Sequence, residues 1–404
     1  MTKNPEVDFQ ERSAVVPSKI TRGLRVWLVY FMLAFFGYSI NVAGPAVAYL
    51  RDELELSFTE SGIHTSALAL GIVVVGLFGH FILKKLPEWK VLGLGGVGLG
   101  IGGLILVLGR QPAVTLTGLF IMGLLGGLIV AVNPAILSDE MGRHSTVGVS
   151  EANTLAAVLS TVAPLAVGYF GGQATTWRPA VYIMTSLALV IGLWILITPK
   201  FSWMIQKSAK NIEIQSGRLP GKFWLFWVAL VVSISIEFCM IYWASDYLQS
   251  QLSMPKDQAT QWVSLFLVGM VVGRYAGSLL LQRYDRFLIL FISVALGALG
   301  FALFWLGGSQ AWTLTGLFLA GLSVANLYAT MITLAFEAAG QARAAAGSAT
   351  TLASGVAILL LPFALGSLAD LVGIRPAMLL VAVLYLILTG LILFGRKAVS
   401  PKPV

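Results

Sequence analysis

The sequence predicts an all-α membrane protein in which twelve transmembrane helices form two parallel six-helix bundles. Scarce charge, a long series of apolar runs and a repeat of one half in the other all lead there. Of 404 residues, 57% are hydrophobic and 11% charged, whereas a soluble chain carries about a quarter charged residues. So little charge cannot cover a water-facing surface. Apolar runs of about 18 residues or more recur between Leu24 and Phe394, each long enough to cross a hydrocarbon core at about 1.5 Å per helical residue.

The segment Met1 to Gly23 carries Asp8, Glu11, Arg12, Pro17 and Lys19 and no apolar stretch. It reads as a polar tail and not a signal peptide, so the first helix is retained. Charge and turn signals then bound helices at 24–50, 60–83, 91–109, 112–138, 148–172 and 177–198, which make a first bundle over 24–198. A polar, basic link over 199–221 follows, and then helices at 222–250, 258–283, 286–308, 311–336, 343–370 and 374–396 make a second bundle over 222–396, with 397–404 as a closing tail.

Lysine and arginine fall mostly on one side of these helices, as in Arg22, Arg25, Lys84, Lys85, Lys90, Lys207, Lys222, Arg283, Arg286, Arg396 and Lys397. The positive-inside rule then puts both termini in the cytoplasm of a plasma (inner) membrane. The net charge of +8 accordingly implies the lipid bilayer, and not nucleic acid, as the partner. The single Cys239 rules out an intramolecular disulfide and reads as a small packing residue, while His64, His80 and His144 lie at different helix ends without metal-ligand spacing. There is no phosphate-binding loop and no nucleophile elbow. Neither an enzyme nor an ATP-driven pump is expected, and no cofactor or metal.

The halves repeat each other. Thr115-Leu116-Thr117-Gly118-Leu119-Phe120 recurs unchanged as Thr313-Leu314-Thr315-Gly316-Leu317-Phe318, and both copies run on to a glycine, Gly123 and Gly321. At nearly the same offset Arg178-Pro179-Ala180 recurs as Arg375-Pro376-Ala377, Trp27-Leu28 as Trp224-Leu225, and Gly76 as Gly273. Each half holds an even number of helices, so the copies run the same way through the membrane.

Over its whole length the chain resembles the major facilitator superfamily: twelve spans, parallel halves, a basic middle link and inside termini. The family's loop motif after the second helix appears as Gly79-His80-Phe81-Ile82-Leu83-Lys84-Lys85, with Leu83 where the aspartate stands, and after the eighth as Gly277-Ser278-Leu279-Leu280-Leu281-Gln282-Arg283, again without the acid. The resemblance implies a monomeric secondary transporter that moves a small-molecule substrate by alternating access.

Charges in hydrocarbon need a partner, a wet cavity or a task. Glu237 lies near the middle of Leu225 to Tyr247, where a carboxyl can exchange a proton or a substrate; the alternative is a structural acid held by Ser233 or Arg274. Arg274 either snorkels to the interface or partners Glu237. Glu151, with Asn153, reads either as a helix N-terminal acid or as an inner-gate residue. Ser323, Asn326, Thr330 and Thr333 share a face of the tenth helix, either lining a cavity or bonding neighbouring helices. Tyr38 and Asn41 sit at mid-depth ahead of Gly44-Pro45, and Tyr242 and Trp243 follow Glu237 by just over a turn. A central site near Glu237, Tyr38, Asn41 and Asn326 is expected. Asp139, Glu140 and Glu337 at the inner ends of the fourth and tenth helices, opposite Lys84, Lys85, Arg283 and Arg286 at those of the second and eighth, either latch the cytoplasmic ends or are solvated helix ends with no switching role.

The expected substrate is neutral and polar, such as a sugar, or a cationic amphiphile, driven by the proton gradient through Glu237. An uncoupled facilitator and a non-transporting membrane sensor or assembly protein are the alternatives.

Overall fold

The structure, a computed structural model, describes residues 22–173, 176–198, 219–340 and 342–399. Most of the expected link and tails therefore lies outside the described residues. The first half comprises α1 (Leu24–Leu54), α2 (Phe58–Lys85), α3 (Glu88–Leu108), α4 (Pro112–Met141), α5 (Ser145–Gly172) and α6 (Arg178–Ile197). The second comprises α7 (Gly221–Leu252), α8 (Lys256–Leu280), α9 (Arg286–Leu306), α10 (Gln310–Ala339), α11 (Arg343–Val372), the short α12 (Ile374–Ala377) and α13 (Leu379–Val399). With α12 and α13 taken together, 12 segments among the described residues are long and apolar enough to span a membrane. This is a multi-pass membrane protein. An even number of crossings brings both ends of the described chain to one side, here termed the tail face; the other is the far face.

Two apolar cores form. One joins α1 to α6, from Val26 through Leu99 and Ile129 to Ile195; the other joins α7 to α13, from Phe223 through Phe304 to Ile392, and takes in Ala69 of α2 across the seam. The duplication fixes their detail. Helices α3 and α9 start at Glu88 and Arg286, and α4 and α10 at Pro112 and Gln310, 198 residues apart in both cases. The same spacing separates the left-handed residues Glu55 (φ 53°) and Ser253 (φ 49°) that end α1 and α7.

The repeated hexapeptide is retained for packing. A Cβ on Gly123 would strike the Leu68 carbonyl oxygen of α2, and one on Gly321 the Phe266 carbonyl oxygen of α8. Likewise Gly118 meets the backbone of Leu106 on α3 and Gly316 that of Phe304 on α9. Lipid offers no hydrophobic drive for helices to associate, so close backbone approach at small residues carries the packing.

Two boundaries differ from expectation. Helix α1 runs four residues past 50, because Arg51, Asp52 and Glu53 find partners in Asp246, Lys256 and Arg178. The twelfth helix is not continuous: after α12 the ladder tightens to a three-residue bond from the Val381 amide to the Met378 carbonyl, at 2.9 Å, just past Pro376, which has no amide to give.

Candidate functional site

The halves meet along α1, α2, α5, α7, α8 and α11, and the far face of this seam is closed. Arg51 at the end of α1 pairs with Asp246 near the end of α7, both largely buried. Lys256, the first residue of α8, pairs with Asp52 and donates to the Ala48 carbonyl at 2.7 Å. Asp370 at the end of α11 accepts from the Phe58 and Thr59 amides at 2.9 and 2.7 Å. Those amides open α2, so an acid from one half caps a helix of the other, where the helix dipole favours it. Deeper in, Ser66 donates to the Leu359 carbonyl at 2.7 Å.

At mid-depth α1 and α7 touch where α1 has no side chain. A Cβ on Gly44 would come within 2.9 Å of the Tyr242 Cα. Trp243 donates to the Pro362 carbonyl of α11 at 2.9 Å. One turn further along α11 its indole lies over Gly366, where a Cβ would come within 2.8 Å of the ring. On the far side of this contact lies a small pocket bounded by Arg51, Ser61, Thr65 and Asp246.

On the tail side lies a cavity of about 280 Å³. Its polar lining is Asn41 of α1, Ser160 of α5, Glu237 of α7 and Arg274 of α8, and its apolar wall is Ala157, Leu267, Met270 and Val271. It therefore sits on the seam and draws on both halves. The Asn41 amide donates to the Gly37 carbonyl at 2.9 Å, which leaves its Oδ1 buried and without a partner among the described residues. Ser233 donates to the Leu230 carbonyl and so does not hold Glu237. Glu237 and Arg274 influence each other electrostatically, yet no ion pair joins them among the described residues. Tyr328 of α10 lies within electrostatic reach of both.

The structure thus gathers Glu237, Arg274 and Asn41 and separates the other expected members. Tyr38 is turned into the first core, donating to the Ala180 carbonyl of α6 at 2.7 Å. Tyr242 and Trp243 pack against α1 and α11 and line the far-side pocket. Asn326 packs against Gly277 of α8, and Thr330 is buried with its hydroxyl unpartnered among the described residues. Ser323 bonds to the Ala320 carbonyl and Thr333 to the Ala329 carbonyl. Ser323 and Thr333 thus satisfy their hydroxyls on carbonyls of their own helix, as spanning helices allow.

At the tail face, Glu151 accepts from Arg22 and from the Tyr30 hydroxyl, the latter at 2.8 Å, while exposed Asn153 bonds to the Val149 carbonyl. Arg25 pairs with Glu140 at 3.1 Å, and Arg286 with Glu337. The expected latch partners Lys84, Lys85, Asp139 and Arg283 are exposed and take part in none of the ion pairs found among the described residues. Of the expected set, Glu140, Arg286 and Glu337 do form ion pairs, Glu140 with Arg25 and Arg286 with Glu337, each inside one half. The far-face residues Arg51, Asp52, Asp246, Lys256 and Asp370 were invisible as a group in the sequence, because each is an ordinary charge near a helix end.

A duplicated helical bundle with an ionisable cavity on the seam between its halves is the architecture of a membrane transporter. Residues 26–362 match the Major Facilitator Superfamily, and the chain belongs to it; it is a transporter and not an enzyme. Among its relatives is the Protein TsgA homolog of Yersinia enterocolitica, 21% identical over 311 residues, 76% of this chain and 78% of that one. The putative metabolite transport protein YwtG of Bacillus subtilis is 25% identical over 173 residues, 42% of this chain and 38% of that one. Among solved structures, a bacterial homologue of the human lysosomal transporter Spinster, inward-facing and unoccupied, superimposes with a TM-score of 0.75 at 12% identity, covering 93% of this chain and 98% of that one. The nucleoside transporter NupG does so at 0.72 and 16% identity, covering 94% and 98%. At such identities these two structures speak for the fold alone.

Proposed function

We propose that the chain is a proton-coupled secondary transporter for a small organic solute, in which the bundles 24–198 and 222–396 rock about the seam cavity by alternating access. The carrying observation is that Glu237 lies in a cavity lined by both halves while the far face is tied shut across the seam. A carboxyl in that position can be loaded from one side of the membrane and unloaded on the other once the halves tilt. The density of basic residues at the tail face supports a cytoplasmic placement of both termini in a plasma (inner) membrane. On that placement the structure is the inward-facing state, the state of the Spinster homologue it superimposes on.

The test is a stabilisation screen of small organic solutes on the purified chain and on Glu237→Gln, at acid and neutral pH. The expected hits need Glu237 and change affinity with pH. In proteoliposomes a pH gradient should drive accumulation of a hit by the native chain and not by Glu237→Gln. Equal accumulation with and without the gradient would make the chain an uncoupled facilitator.

A further inference from the structure

The seam cavity holds both signs of charge. Arg274 is exposed to it from α8 and Glu237 partly so from α7, and no ion pair joins them among the described residues. An acid and a base that line one cavity inside the membrane without pairing are matched by a third party that answers both. Two further polar groups, on Asn41 and Ser160, line the same cavity. Asn41 commits one of its two amide N–H donors to Gly37, and its Oδ1 is buried without a partner among the described residues. The α7 side of the cavity therefore presents a carboxylate, with the unpartnered Asn41 Oδ1 of α1 as a further acceptor among the lining residues, and the α8 side presents a guanidinium, whose planar fork suits a carboxylate.

Between these poles the wall is aliphatic: Ala157, Leu267, Met270 and Val271. A sugar would leave this aliphatic wall without a matching surface.

We propose that the transported solute is a small aliphatic zwitterion of the α-amino-acid type, its ammonium group held by Glu237 and Asn41 and its carboxylate by Arg274. This rests on the seam-cavity reading above and names the substrate class of that site.

The probes are L-alanine, L-valine and L-leucine, with leucinamide lacking the negative pole and 4-methylpentanoate lacking the positive one. Cys239, the sole cysteine, is buried, so the full-length Ala157→Cys variant reports cavity access through labelling by a soluble maleimide. One or more of the three amino acids should slow labelling saturably, leucinamide and 4-methylpentanoate should do so at least about tenfold more weakly than leucine, and Arg274→Gln in the same background should abolish protection by the amino acids. Equal protection by leucinamide with Arg274 replaced would mean a cation site, and equal protection by 4-methylpentanoate with Glu237 replaced an anion site; either overturns the inference. Labelling that none of the amino acids slows overturns it as well, while leaving the cavity in place. If Ala157→Cys is never labelled in a chain that remains folded by thermal melting, the seam-cavity reading itself fails, a result distinct from the others.

Discussion

The two faces of the seam are held by different chemistry. At the far face two ion pairs run between the halves, from Arg51 to Asp246 and from Lys256 to Asp52, a third, Arg178 to Glu53, stays inside the first half, and an acid of α11 caps α2. At the tail face the ion pairs among the described residues stay inside a half, Arg22 to Glu151, Arg25 to Glu140 and Arg286 to Glu337. Among the described residues the ion pairs that tie the bundles to each other lie at the far face, and those at the tail face brace each bundle within itself. Two ion pairs of similar geometry can thus differ wholly in what they control.

Breaking the buried far-face pair should separate these roles most strongly. Asp246→Asn leaves Arg51 without its counter-charge, and removing one partner of a buried pair costs about 3 kcal/mol or more. Some of that cost is specific to the closed state, so the population open at the far face should rise about a hundredfold, read as faster maleimide labelling of Ser61→Cys from that side. Unchanged labelling would mean that the pair does not hold the seam.

A smaller shift is expected from Gly44→Val, which forces a side chain against Tyr242. Overpacking of this kind costs about 1–3 kcal/mol and should speed the same labelling about tenfold. Gly123→Val sharpens the contrast. It wedges α2 from α4 within one half, so it should lower the melting temperature without favouring far-face labelling. The smallest effect belongs to the tail face. Arg286→Gln removes an exposed pair inside the second half and should change stability by less than about 1 kcal/mol, with labelling at Ser61→Cys unaltered.

The elements were legible because lipid demands long uninterrupted apolar helices, and the halves because backbone contact tolerates only glycine at Gly118, Gly123, Gly316 and Gly321. Glu237 and Arg274 stood out for the same reason: hydrocarbon makes a lone charge conspicuous. Direction about a helix axis was less legible. Tyr38 and Trp243 spend their polar atoms on the carbonyls of Ala180 and Pro362, and backbone acceptors leave no trace in a side-chain pattern. The far-face charges lay where every spanning helix carries polar residues, so only the fold could reveal that Arg51 and Asp246, on different halves, are partners.

The two apolar cores lie almost wholly in separate sets of helices, with Ala69 of α2 joining the second core and Leu219 packed against it. A gene cut within codons 199–218 and expressed as two polypeptides should therefore still yield an assembled particle, recoverable through a tag on one fragment alone, with the pairs around Arg51, Asp246 and Lys256 serving as the address by which the fragments find each other.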